Sequence, residues 1–153
     1  MSKRSYIQNI RTEHEFTYKD KIEKWEVVSP RKIDKNTGFN ATVFKNGKNI
    51  VVAYRGTEGG EILGRGFKDL VADFRYIVLK QRDRLDKFPN QFTQSVDLVK
   101  NLKKKYPDAN ITLTGHSLGG GLASYAGAME NVEAVTFSSP SVVELLPDDL
   151  QKK

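Results

Sequence analysis

The stretch Ile111–Leu122, ITLTGHSLGGGL, decides how the rest of the chain is read. Its residue types predict a short β-branched strand, a tight turn, and then a helix of small residues. The turn carries Gly115, His116, Ser117, Leu118 and Gly119, a G-x-S-x-G spacing. A serine on a sharp strand-to-helix turn needs strained backbone geometry, and a side chain two residues to either side would collide with the turn. Gly115 and Gly119 remove those collisions. The turn is expected to lift the Ser117 hydroxyl above the sheet edge, and the following helix points its free amides at the same place. Ser117 is therefore the candidate nucleophile, and the Leu118 N–H is a candidate donor to an oxyanion.

A bare G-x-S-x-G is common by chance. Its alternative reading is a glycine-rich turn with an incidental serine, and the flanking strand and helix argue against that. Gly120, Gly121, Ala123, Ser124, Ala126, Gly127 and Ala128 would keep the helix narrow enough to pack close to a sheet.

The chain has 153 residues, enough for one domain with a proper core. It has no cysteine, which excludes disulfides and thiolate metal sites. Its two histidines are His14 and His116, and no H-E-x-x-H pattern occurs, so neither a metal nor another cofactor is expected. The formal charge is +6. The cluster at Lys103, Lys104 and Lys105 reads as a solvated helix face, and no nucleic-acid motif accompanies it. No apolar segment resembles a signal peptide or a membrane span, so a cytoplasmic location is the default expectation.

Working upstream, Phe88, Phe92, Val96, Val99, Leu102 and Tyr106 recur at helical spacing, with Pro89 suited to a first turn. Phe67, Leu70, Val71 and Phe74 predict another amphipathic helix over 66–80. Residues 58–65 carry three glycines and read as a mobile loop. Phe39–Phe44 and Asn49–Tyr54 form a β-hairpin around Asn46-Gly47, and the apolar run Ile50–Tyr54 suits a strand covered on both faces. Residues 31–38 read as loop, and Trp25–Val28 as a short apolar stretch ended by Ser29-Pro30. Residues 1–24 form an N-terminal arm, extended or briefly helical. Downstream, Val132–Phe137 is one more strand, Ser138–Ser141 breaks it, and 141–153 is a polar tail, frayed or briefly helical. The domain would then be 25–140, an α/β fold.

Several stretches together resemble the class 3 (fungal-type) lipase family of the α/β-hydrolase fold. They are Ile50–Thr57 (IVVAYRGT), Lys68–Phe74 (KDLVADF), Tyr106–Gly120 (YPDANITLTGHSLGG) and Val135–Pro140 (VTFSSP), with Thr37–Ala41 as a lead-in. The resemblance implies a partial α/β-hydrolase domain: a mostly parallel sheet flanked by helices, with an N-terminal β-hairpin. It implies hydrolysis of carboxylic esters of lipids, acylglycerols or phospholipids, by a Ser-His-Asp triad. Ser117 falls on the nucleophile and Thr57 on the second oxyanion position. Residues near Ile62, Leu63 and Phe67 fall on the lid, while Asp69 and Asp73 fall on a structural position. The expected partners are a lipid or small ester and no nucleic acid, with room for peripheral contact with a lipid surface.

The chain departs from the family pattern after the serine. The triad order is serine, acid, histidine, but no histidine occurs in residues 118–153. A further strand-and-crossover unit needs roughly thirty residues by itself. His116 precedes the serine and its ring should turn away; His14 lies in the arm. Asp148 and Asp149 are the acids near the end of the tail. The simplest expectation is the N-terminal part of a longer lipase-like protein. The alternatives are a non-catalytic relative that binds a lipid, ester or protein, and a domain that self-associates through the open edge of Val132–Phe137.

Overall fold

The computed structural model describes residues 13–18, 21–34, 37–56 and 91–152. Strand β1 is Glu13–Tyr18, β2 is Lys21–Ile33, β3 is Asn40–Asn46 and β4 is Asn49–Tyr54. Helix α1 (Gln91–Lys105) leads to β5 (Asn110–His116), helix α2 (Leu118–Glu130) and β6 (Glu133–Phe137). A 3₁₀ turn at Val143–Leu145 and a short helix α3 (Asp148–Gln151) follow. The six strands form one sheet in sequence order. The pairings from β1 to β4 are antiparallel; β4–β5 and β5–β6 are parallel, each parallel strand being reached through a helix.

From Ile50 onward strand β4 is apolar because both of its faces are covered. Ile50, Val52 and Tyr54 point to the face packed by α1 and α2, with Val43, Leu113, Val99 and Leu122 in the same core. Val51 and Ala53 point to the other face, where they meet Trp25, Val27 and Phe44. Helix α1 buries Phe92, Val96, Val99 and Leu102 at the spacing expected of one helical stripe. Its last turn carries Lys103, Lys104 and Lys105, which complement the helix dipole. Lys103 also donates to the Glu130 carbonyl at 2.5 Å, tying the ends of α1 and α2 together.

The hairpin around Asn46-Gly47 forms as expected, with Asn46 opposite Asn49. The N-terminal region differs from the sequence reading. Residues expected to be arm, short apolar stretch and loop are instead the hairpin β1–β2, with Tyr18 opposite Lys21. Ser29-Pro30 does not end β2. The register against β3 shifts on both sides of Ser29, and such an irregularity accommodates a proline that has no amide to give the ladder. The tail takes the briefly helical of its two expected forms, and Val142, Leu145 and Leu146 are buried in the main core, so the chain after β6 packs back on the helices. Among the described residues β6 is the end of the sheet, with Val135 and Phe137 exposed on it at 47% and 52%. The helix expected over 66–80 lies outside the described residues.

Tyr54 joins β4 to α1. Its phenol is fully buried and donates to the Ser95 carbonyl at 2.8 Å. Burial pushes this phenol up from its ordinary value of 10.0. The folded chain therefore holds a proton that the unfolded chain loses, so this stability is complete below about pH 10 and falls as the pH rises further. Tyr54→Phe is expected to cost roughly 1 kcal/mol at neutral pH and to flatten the alkaline loss. Urea midpoints for both chains at about pH 8 and about pH 11 check this; parallel losses would contradict it.

Candidate active site

Strand β5 ends at His116 and α2 begins at Leu118, so Ser117 alone makes the turn. Its backbone has φ 56 and ψ −125, a combination that residues with a Cβ seldom adopt. Its side chain makes no capping hydrogen bond, although it occupies the N-cap position. The first intrahelical bond runs from the Gly121 N–H to the Ser117 carbonyl at 3.1 Å. The Leu118 N–H thus belongs to the first turn, whose amides precede the helix's own ladder.

The two elbow glycines are explained by close backbone approach. A Cβ on Gly115 would lie 2.2 Å from both the carbonyl carbon and the oxygen of Gly119. A Cβ on Gly119 would lie 2.3 Å from the Tyr54 carbonyl oxygen, 2.9 Å from the Arg55 carbonyl carbon and 2.9 Å from the Gly56 nitrogen. The start of α2 therefore sits directly on the end of β4. Gly127 repeats the theme a helix length away, where a Cβ would come 2.7 Å from the Val132 carbonyl. The small residues of α2 bury Gly119, Gly120, Gly121, Ala123, Ala126 and Gly127 against the sheet, as the sequence predicts.

The parallel register brings three strand ends together. Tyr54 pairs with Gly115, and Gly115 with Thr136. The ladder then continues beyond the strands, because the Ser117 N–H donates to the Phe137 carbonyl at 3.1 Å. Sequence reasoning did not identify this carbonyl; a strand followed by Ser-Ser-Pro carries no information about register.

Of the predicted site residues, Ser117, Leu118, Gly115 and Gly119 gather at this turn. Thr57 and the lid candidates Ile62, Leu63 and Phe67 lie outside the described residues, as do Asp69 and Asp73. His116 is exposed and pairs in register with Phe137. His14 lies in β1 opposite Trp25, four strands from β5. At about 4.8 Å per strand this is roughly 19 Å across the sheet, which no side chain spans. Asp148 and Asp149 begin α3 and are exposed. Among the described residues no three His, Cys, Asp or Glu side chains gather as a metal site.

The family described as "Phospholipase-like: Tle-like phospholipase domain" matches residues 13–144. A protein of Saccharomyces cerevisiae described as a candidate lipase, ATG15, is 48% identical over 68 residues, which are 44% of this chain and 12% of that protein. An extracellular phospholipase A1 of Serratia liquefaciens is 32% identical over 109 residues, 71% of this chain and 30% of its own. The chain thus spans well under half the length of these relatives. Among solved structures, the Lip2 lipase of Yarrowia lipolytica matches 76% of this chain and 45% of its own at 18% identity, with a TM-score of 0.49.

Proposed function

The chain belongs to the phospholipase-like family with a Tle-like phospholipase domain, a class 3 lipase-like α/β-hydrolase, and from that premise we propose that it carries the nucleophile half of a lipid ester hydrolase. The observation that supports this most is the backbone of Ser117, strained at φ 56 between two glycines that tolerate no Cβ. Strain of this kind is kept where function requires it.

In the proposed reaction the Ser117 Oγ attacks the carbonyl carbon of a carboxylic ester. A general base takes the Oγ proton, and the carbonyl oxygen becomes an oxyanion. The Leu118 N–H donates to it, aided by the positive end of α2. Thr57 supplies the second N–H. In support, Ile50–Thr57 (IVVAYRGT) resembles the family's stretch in which the residue at the Thr57 position donates the second N–H. Collapse of the intermediate breaks the ester C–O bond, and the alcohol leaves with the proton. Water then cleaves the acyl-serine by the same steps. Residues 118–153 contain no histidine, and the chain spans under half the length of its relatives; we assign the base and its acid to residues other than 118–153. The substrates are acylglycerols or phospholipids.

The test is labelling with a fluorophosphonate in a chain extended at its C-terminus, with the adduct mapped by mass spectrometry. A single adduct on Ser117, lost in Ser117→Ala, is the expected result. A well-folded extended chain that takes no label would favour the non-catalytic reading.

A further inference from the structure

Two residues at the carboxyl end of the sheet that are not glycine share left-handed backbone: Ser117 with φ 56 and Ser138 with φ 48. The remaining described case, Asn131 with φ 52, is the C-cap of α2, where asparagine is common. Ser117 owes its value to the elbow. Ser138 is exposed and directly follows Phe137, the last residue of β6. A residue with a Cβ avoids this backbone region unless its surroundings enforce it.

The surroundings that enforce it can be named. Phe137 must keep its peptide in the plane of the sheet, because its carbonyl accepts the Ser117 N–H at 3.1 Å. The chain must then turn within one residue, because Ser139 packs on the first turn of α2. A Cβ on Gly120 would lie 2.8 Å from the Ser139 Cβ. A positive φ at Ser138 satisfies both demands.

We propose that Ser138 is a positioning residue for Ser117: its left-handed backbone holds the Phe137 carbonyl on the Ser117 amide and so fixes the elbow to the end of β6. The role belongs to the backbone and not to the hydroxyl. It also commits the Ser117 N–H to Phe137, which leaves the Leu118 N–H as the nearer oxyanion donor. The consequence for reactivity rests on the proposed nucleophile, whereas the anchoring of the amide does not.

Amide hydrogen exchange read by NMR tests the anchoring without any need for activity. The series is wild type, Ser138→Gly, Ser138→Asn, Ser138→Ala and Ser138→Val in the 153-residue chain. Valine is expected to speed exchange of the Ser117 amide at least about tenfold relative to the Leu113 amide in the middle of β5. Alanine should fall between, and glycine and asparagine should stay within about twofold of wild type. Three outcomes would overturn the proposal: no change at Ser117 in the valine variant, a change that Leu113 shares equally, or equal acceleration in glycine and alanine, which would point to the hydroxyl. If Ser138→Val does not fold, alanine against glycine decides, since faster exchange in alanine supports the backbone role and equality refutes it. In an extended chain the fluorophosphonate labelling rate should fall in the same order; exchange and labelling can fail separately, so failure of the nucleophile reading is distinguishable.

Discussion

Replacing Gly119 by alanine is expected to destabilise the chain by about 3 kcal/mol or more, and Gly115→Ala is expected to do the same. In both cases the added Cβ would meet backbone: the Tyr54 carbonyl oxygen at 2.3 Å for Gly119, and the carbonyl group of Gly119 at 2.2 Å for Gly115. A flexible side chain could rotate away, but backbone cannot. Relief requires α2 to lift from the sheet, which would open the contacts of Leu122, Ala123 and Ala126 with the core. Domains of this size are stable by only about 5–15 kcal/mol, so one such change removes a large share. Gly47→Ala is the control. Gly47 also has positive φ, at 56, but nothing lies within 4 Å of its Cβ position. Its cost should be that of backbone conformation alone, about 1 kcal/mol. Denaturant midpoints of the three variants check the ranking. Equal losses at positions 47 and 119 would show that close approach is not what requires glycine in the elbow.

The elbow was legible because its G-x-S-x-G spacing lies within five residues, inside which Gly115 meets Gly119; that Gly119 also meets the end of β4 was not. The hairpin β3–β4 was legible because Asn46-Gly47 is a turn pair between two apolar runs. The hairpin β1–β2 was not. Alternation in β2 puts Glu23, Trp25 and Val27 toward the sheet and leaves Ile22 outside at 67% exposure. An inward glutamate and an outward isoleucine erase the usual pattern. Glu23 is tolerated there because its carboxylate accepts the Trp25 indole N–H at 3.2 Å. The burial of the tail is not legible for a related reason. Few apolar residues lie among its charges, yet Val142, Leu145 and Leu146 are enough to bury it. The contact between Ser117 and Phe137 depends on strand register, which local sequence does not encode.

The largest expected effect is on catalysis. A serine hydroxyl is a poor nucleophile at neutral pH until a neighbouring group takes its proton. His14 is roughly 19 Å away across the sheet, and residues 118–153 offer no histidine. Without a base, an elbow and an oxyanion hole retain only about a thousandfold or so over water, which would look like background in an ester assay. In a chain that does have the base, removing the serine hydroxyl should lower kcat by about 10⁴-fold or more, since the members of a triad act as one unit.

The most direct measurement is turnover of p-nitrophenyl esters by three proteins side by side: the 153-residue chain, a C-terminally extended chain, and the extended chain with Ser117→Ala. Background for the first, turnover for the second and background again for the third are the expected results. Turnover by the extended chain that survives Ser117→Ala, or robust Ser117-dependent turnover by the short chain, would contradict them.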